Sequence, residues 1–286
     1  MKLQSAMEYL MTYGWAILII AIVIIALFKL NVFNPNYWSP KLQPGSCSVI
    51  RKSYGSASLS SGCLINAFPE YTVSFAQESS TVNSAIQATI NQFSTSQITL
   101  TFWAKNVQCK SANACTYLHI STSDSCSGYN GLWITQAQSN LCTSSGSTSL
   151  SYVYPYNVWT FYAITISPNL ATPYVNGVAG TTSSTVGNID SITSIVLGDY
   201  AYPGSDNWDA YDGYLANVQV YNTSLSANSI QALYLEGIGG APIKLQNLVG
   251  WWPLNDNAND YSGNGYNGAA SSVFYTSGWE SGYTVP

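Results

Sequence analysis

The stretch DGYLANVQVYNTSLSANSIQALY, residues 212–234, decides the fold of this 286-residue chain. Within it, residues 213–221 alternate between small or apolar side chains and polar ones. This alternation predicts a β-strand, because successive side chains of a strand point to opposite faces. The apolar members are Ala216, Val218 and Val220, and the polar members are Asn217 and Gln219.

A short helix is predicted directly after this strand. Ser226 is a typical N-cap, and Ile230, Leu233 and Tyr234 recur at helical spacing. Gly237 is a typical helix stop. We find no other helical signal in this half of the chain.

Further strands lie upstream. Residues 98–107 alternate and predict a half-buried strand, whereas residues 159–166 (WTFYAITI) are apolar on both faces and predict a central strand between two layers. The pair Asn176-Gly177, between β-prone runs in residues 172–181, is a strong hairpin signal. Together these patterns predict an antiparallel β-sandwich with one short helix.

The order of these segments resembles the laminin-G-like, concanavalin-A-like jelly-roll family. The resemblance is carried by ITLTFWAK, WTFYAITIS with PYVNG, IVLGDY and the stretch quoted first, all within residues 98–237. It implies an all-β antiparallel jelly roll that binds glycans or proteins, sometimes with calcium. Some relatives hydrolyse polysaccharides.

One segment of that family stands at an unusual place. The family usually begins with L-V-G-x-W-P-L and D-x-S-G-N-G-x-N-G, whereas here LVGWWPLNDNANDYSGNGYNGA occupies residues 248–269. Only 17 residues follow (286 minus 269), too few for a second core. We predict a circularly permuted sandwich over residues 46–286, with the returning segment 248–286 burying Trp251 and Leu254 and placing its Asn/Gly run in a surface turn. Insertion of the same strand into a neighbouring subunit is the alternative.

A hydrophobic segment opens the chain. Residues 4–33 read QSAMEYLMTYGWAILIIAIVIIALFKLNVF, and every residue from Trp15 to Phe28 is apolar. As a helix this segment is long enough to cross a bilayer, and because it has no polar face it must be covered by lipid or by other protein. Three prolines in residues 34–45 then predict a semi-stiff linker.

The start of this segment, Q-S-A-M-E-Y-L, resembles archaeal type IV pilins. In that family a short basic leader is removed ahead of the hydrophobic helix, which implies a leader of residues 1–3 and cleavage between Leu3 and Gln4. The family usually has glycine where Leu3 stands. A signal-anchor helix that is never cut is the alternative.

Glu8 takes the acidic position of that family. A carboxylate in an apolar environment needs a partner, and the free amine of Gln4 on a neighbouring subunit would supply one. The resemblance therefore implies that Glu8 sets the register of a homo-oligomeric filament packed through its helices. Before assembly the subunit would be inserted in the membrane.

The composition favours an outward compartment. The chain has a net charge of -5, 7% charged residues and 14% aromatic residues, which suits a densely packed extracellular surface. Its 8 basic residues are scattered, which argues against a nucleic-acid partner.

Six cysteines favour disulfides formed outside the cell. There is no CxxC pair, and the one histidine, His119, is expected to be an ordinary strand residue rather than a zinc ligand. Of fifteen possible connectivities we favour the sequential one, although the sequence leaves the pairing open. The sequential pairs are Cys47 with Cys63, Cys109 with Cys115, and Cys126 with Cys142.

The sequence argues against an enzyme. A retaining glycosidase of this fold class needs two carboxylates about 5 Å apart, usually from an acid-x-acid-x-acid strand. The five glutamates are isolated, and no Ser, Cys or His set suggests nucleophilic catalysis. They are Glu8, Glu70, Glu78, Glu236 and Glu280.

Two acidic turns could offer oxygen ligands to calcium, although tight turns require the same residues. We expect turns, and no cofactor, because neither segment has EF-hand spacing. The first segment holds Asp199 and the metal candidates Asp206, Asp209 and Asp212, and the second holds Asp256 and Asp260.

Aromatic residues interleave the first acidic turn and make it the candidate ligand rim, since sugar rings stack on such faces. They are Tyr200, Tyr202, Trp208 and Tyr211. Asn222 begins the sequon Asn222-Thr223-Ser224 after a strand and is a candidate glycosylation site.

The sequence therefore favours an extracellular filament subunit of archaeal type IV pilin character that displays a lectin-like sandwich for adhesion. A membrane-anchored surface lectin that binds glycans or proteins is the first alternative. An anchored glycan hydrolase is the second.

Overall fold

The structure is a computed structural model that describes residues 13, 15–25, 29, 68–76, 84–107, 116–121, 131–135, 138–143, 146–151, 154–184, 188–198 and 211–286. The chain divides into two units, Met1–Ser48 and Val49–Pro286. In the first unit, residues 15–25 are helical and their side chains are exposed, Trp15 by 67%. Among the residues described, no helix is both long and apolar enough to cross a membrane. Leu3, Gln4 and Glu8 lie outside them.

The described part of the second unit contains fifteen strands in two sheets. The strands are β1 (Thr72–Phe75), β2 (Ala85–Thr95), β3 (Ile98–Asn106), β4 (Thr116–Ser121), β5 (Gly131–Thr135), β6 (Gln138–Thr143), β7 (Gly146–Ser151), β8 (Thr160–Ile166), β9 (Ala171–Val175), β10 (Val178–Ala179), β11 (Ile189–Leu197), β12 (Gly213–Tyr221), β13 (Leu248–Trp252), β14 (Gly268–Ser271) and β15 (Phe274–Thr276). The eight-stranded sheet has the order β10-β9-β8-β3-β12-β1-β15, with β13 paired to β12 beside this path. The seven-stranded sheet has the order β14-β2-β11-β4-β5-β6-β7. Neighbouring strands pair antiparallel, so the predicted sandwich is confirmed.

The two sheets enclose one apolar core. Leu100 and Val218 of the eight-stranded sheet belong to the same buried cluster as Leu118 and Leu132 of the seven-stranded sheet. Each of these side chains is fully buried, which stabilises the fold by about 1.5–3 kcal/mol per side chain. Both sheets supply buried side chains to this cluster.

A second apolar cluster covers the outer face of the eight-stranded sheet. The short helix, Ala227–Leu235, and the C-terminal tail pack there. The ring of Trp103 on β3 lies 5.9 Å from the ring of Tyr234 and 5.4 Å from that of Tyr283. Because of this cover β3 is buried along its whole length, and the prediction of a half-buried strand at residues 98–107 is wrong.

The short helix forms as predicted. Its N-cap is Ser226, whose side-chain oxygen accepts a hydrogen bond from the backbone N–H of Ser229 at 3.3 Å. Ile230 and Leu233 are buried beneath it. Gly237 follows the helix with a φ of 79°, which a glycine adopts without strain.

Two other local predictions are confirmed. Strand β8 is buried on both faces, as expected for a central strand. Asn176 and Gly177 join β9 to β10 with φ angles of 49° and 76°, the positive values that a tight hairpin turn requires.

The C-terminal segment folds back into its own chain. Strand β13 pairs with β12, β14 with β2 and β15 with β1, so the segment contributes to both sheets. Leu254 is fully buried as predicted. Trp251 is only half-buried, and the fully buried ring is that of Trp252. The prediction for Trp251 is wrong because its indole packs against the outer cluster, where Nε1 donates to Oδ1 of Asn217 at 2.8 Å.

Candidate functional site

Of the four aromatic residues predicted to form a ligand rim, the structure describes only Tyr211, and that residue is buried. Tyr211 is 1% exposed, and its hydroxyl lies 2.9 Å and 3.1 Å from the carbonyl oxygens of Lys105 and Tyr214. Burial raises the pKa of this hydroxyl well above its ordinary value. Tyr211 is therefore a core residue and cannot stack on a ligand. The other three rim residues lie outside the described ranges.

The described residues show no geometry that would support the predicted metal site. Asp212 is half-buried, and Asp206 and Asp209 lie outside the described ranges. In the part of the chain that is described, no three His, Cys, Asp or Glu side chains are close enough to hold a metal ion.

Asp260 organises the second acidic turn. Its Oδ1 accepts hydrogen bonds from the backbone N–H groups of Trp251 (3.0 Å) and Ser262 (2.8 Å). Its Oδ2 accepts from the N–H of Tyr266 (2.9 Å) and the hydroxyl of Ser262 (2.8 Å). Four donors converge on one carboxylate, so Asp260 serves the turn, as expected from its sequence context.

His119 lies in β4 and is 1% exposed. Its ring stacks on that of Trp133 at 4.7 Å, and burial lowers its pKa to about 3. It is therefore neutral at ordinary pH, and the expectation of a strand residue is confirmed. Of the cysteines, only Cys142 lies in a described strand, so the disulfide pairing stays a prediction.

A groove of about 570 Å³ opens between β2 and the returning C-terminal segment. One wall is the end of β2, and the other combines the loop after β12, the short 3-10 helix Leu245–Asn247 with the start of β13, and the loop before β14. Its described lining residues are Asn91, Gln92, Phe93, Ser94, Thr95, Asn222, Gln246, Leu248, Val249, Asn264 and Tyr266. The volume falls within the range of about 300–1,000 Å³ typical of small-molecule sites.

Strand β2 is irregular where it borders the groove. Its pairing with β11 runs from Ile192 opposite Phe93 to Ser194 opposite Thr89, so the register shifts across Asn91 and Gln92. Such bulges bend a strand and re-aim its side chains. Asn91 and Gln92 are both exposed as a result of this local departure from alternation.

The lining is polar but carries no charge among its described residues. Five members are carboxamides, and two, Phe93 and Tyr266, are half-buried aromatic rings. The side-chain amides of Asn91 and Gln246 form no hydrogen bond within the described part of the chain, so each offers both donor and acceptor atoms. This combination suits a neutral ligand that is rich in hydroxyl groups.

The loop before β14, residues 260–267, holds its side of the groove rigidly. Nδ2 of Asn264 donates to the carbonyl oxygens of Leu248 (3.1 Å) and Val249 (2.9 Å), which leaves Oδ1 for another partner. The backbone of Tyr266 is held by Asp260 and by the indole N–H of Trp252, which donates to its carbonyl at 2.9 Å. The groove is therefore preformed on this side.

The sequence profile of the concanavalin A-like lectin/glucanases superfamily matches residues 79–231. The chain belongs to this superfamily. Comparison with curated proteins finds no match.

Two solved structures have a similar fold. One is a native heptameric SAP-like pentraxin from Limulus polyphemus, 15% identical, with a TM-score of 0.54 over 73% of this chain and 95% of the pentraxin. The other is a Bacteroides ovatus protein assigned to carbohydrate binding, 16% identical, with a TM-score of 0.54 over 73% of this chain and 60% of that protein. At these identities the likeness shows the fold.

The sequence did not reveal where this superfamily member forms its groove. Asn91, Gln246 and Asn264 are ordinary polar residues in the sequence, and only the fold brings them together. One local signal was present: in IQATINQFST, residues 86–95, the alternation breaks at Asn91-Gln92, where β2 bulges.

Proposed function

We propose that the sandwich is a lectin-like domain that binds an uncharged glycan in the groove beside β2. The observation that carries the proposal is the groove lining, which combines five carboxamides with two aromatic rings and has no charged member among its described residues. Superfamily membership supports the proposal, since the superfamily includes lectins.

Sugar chemistry matches this lining. Carboxamides donate and accept hydrogen bonds at once, as the hydroxyl groups of a sugar require. The apolar face of a sugar ring packs on an aromatic face such as those of Phe93 and Tyr266. A charged ligand would be left without a counter-charge here. The described lining also holds no carboxylate, which supports binding rather than hydrolysis, because glycosidases need two.

Removing the two unengaged amides should weaken glycan binding strongly. Each lost hydrogen bond costs about 0.5–1.5 kcal/mol, so we expect Asn91→Ala with Gln246→Ala to lower affinity about tenfold or more. The measurement is binding to a panel of neutral oligosaccharides, with calorimetry on those bound by the unaltered chain.

The matched control is Gln87→Ala, which removes an exposed amide from the same strand outside the groove. It should leave affinity unchanged. Equal affinities for all three proteins would place any glycan site elsewhere, and a panel without any bound sugar would refute the proposal.

The second part of the proposal concerns assembly and rests on the N-terminal helix. Residues 15–25 are apolar, helical and exposed all round, so lipid or neighbouring helices must cover them. We infer a subunit of type IV pilin character, inserted in the membrane before its helices pack into an extracellular filament. The sandwich would then be displayed at the cell surface for adhesion.

Loss of Glu8, the lone acid of the hydrophobic segment 4–33, should abolish or weaken assembly. We expect Glu8→Ala to reduce filaments, seen by electron microscopy of surface fractions, while the melting temperature of the sandwich stays unchanged. The control is Glu70→Ala, which changes an exposed acid of the second unit. Filament yield from Glu8→Ala equal to that of the unaltered chain would end the assembly role. Single particles in every sample would favour an anchored lectin.

A further inference from the structure

The sequon of the chain stands in the wall of the groove. Asn222 follows β12 directly, is exposed, and lines the groove together with Asn91 and Gln246. Resting on the glycan-binding function proposed above, we propose that an N-linked glycan on Asn222 occupies this groove and closes it to other glycans. The modification would then regulate the site.

Asn222 presents the correct atom for modification. Its backbone N–H donates to the carbonyl of Asn247 at 2.9 Å, and its Oδ1 accepts from Nδ2 of Asn247 at 3.3 Å. Its own Nδ2 forms no hydrogen bond within the described part of the chain. The atom that would carry the sugar is therefore accessible, while the rest of the residue is held in place.

The attachment point is fixed relative to the sheet. The hydroxyl of Thr99 on β3 donates to the carbonyl of Thr223 at 2.7 Å and accepts from the N–H of Leu225 at 2.9 Å. Thr99 is fully buried, so these bonds pin the sequon loop to the core. A sugar on Asn222 begins at the groove wall and cannot swing away with a mobile loop.

The group transfer uses an activated glycosyl donor. A lipid-linked oligosaccharide phosphate supplies the sugar, and Nδ2 of Asn222 forms a bond to its anomeric carbon. The bond from that carbon to the phosphate oxygen breaks, and the phosphate leaves with the electron pair while Nδ2 gives up one proton. No oxidant or reductant is required.

An attached glycan competes with external ligands at high effective concentration. A short tether gives an effective concentration on the order of 1 mM. For a groove with a dissociation constant of about 0.1 mM, this competition lowers apparent affinity for an external glycan about tenfold.

The matched variant is Ser224→Ala, which removes the sequon hydroxyl but leaves every lining residue of the groove in place. Full-length chain and variant are prepared from a host that glycosylates sequons and from one that does not. Two readouts are compared: binding to the panel of neutral oligosaccharides, and hydroxyl-radical footprinting of Phe93 and Tyr266 by mass spectrometry. The footprint needs no external ligand.

We expect the glycosylated chain to protect Phe93 and Tyr266 and to bind the panel about tenfold more weakly than Ser224→Ala from the same host. From the other host the two proteins should be equal. Equal footprints and equal binding despite a glycan on Asn222 would overturn the closure.

A second sequon controls for the host. Ala179→Asn creates a sequon whose third residue is Thr181. The new site lies on the exposed strand β10, outside the groove. If that site is modified and Asn222 is not, the proposal fails. If neither unglycosylated protein binds the panel, the glycan-binding function fails, while the footprint still decides whether the attached glycan fills the groove.

Discussion

A chain that ends at Gln246 will not fold its sandwich. The deletion removes 40 residues (286 minus 246) and with them β13, β14 and β15, each of which pairs with a strand of one of the two sheets. It also removes the buried side chains of Trp252, Leu254 and Trp279. Loss of each of these buried side chains lowers the free energy of unfolding by about 2–5 kcal/mol, and a typical domain has a free energy of unfolding of only about 5–15 kcal/mol.

Circular dichroism and thermal melting test this expectation against the full-length chain. A chain that ends at Tyr283 is the control, because it keeps all three strands and the hydroxyl of Tyr283, which accepts from the N–H of Ile238 at 3.1 Å. An unchanged melting temperature after deletion of residues 247–286 would make the segment a dispensable tail. A peptide of residues 247–286 should restore structure to the shortened chain.

Trp252→Ala will destabilise the sandwich far more than Trp251→Ala. The ring of Trp252 is 1% exposed and belongs to the core between the sheets. A Cβ built on Gly250 would lie 2.1 Å from that ring, which shows how closely the backbone packs against it. Removing such a ring costs about 3–5 kcal/mol.

Trp251→Ala removes a half-buried ring from the outer cluster and one hydrogen bond to Asn217. Oδ1 of Asn217 keeps its bond from Nε2 of Gln219 at 2.9 Å, so no acceptor is orphaned, and we expect a cost of about 1–3 kcal/mol. Urea unfolding of both variants measures the difference. The reverse ranking would restore Trp251 as the core residue.

The wrong prediction that Trp251, and not Trp252, is buried shows what the sequence pattern could not decide. Side chains at successive positions of a strand point to opposite faces, and in β13 the ring of Trp252 enters the core whereas that of Trp251 joins the outer cluster. Grouping Trp251 with Leu254 ignored that parity. The pairing of β13 with β12 shifts register between Gly250 and Leu248, and Leu248 also belongs to the outer cluster. Two successive tryptophans in a strand indicate that one ring faces inward, but the preceding residues do not decide which, because the register shift between Leu248 and Gly250 interrupts the alternation.

Other features had no local signal. The strand β3 was predicted, but its outer cover comes from Tyr234 and Tyr283, more than a hundred residues away in sequence. The groove likewise joins β2 to residues beyond 220. The hairpin at Asn176-Gly177 and the capped short helix were predictable because each depends only on residues that are close together in sequence.

The return of the C-terminal segment also governs when this chain can fold during synthesis. Nε1 of Trp279 donates to the carbonyl of Pro69 across 210 positions, and the hydroxyl of Ser84 donates to the carbonyl of Ser272 across 188. Neither sheet is complete until these late residues leave the ribosome, and contacts of such long sequence separation form slowly. The hydrophobic segment of residues 4–33 is therefore synthesised long before either sheet can be completed.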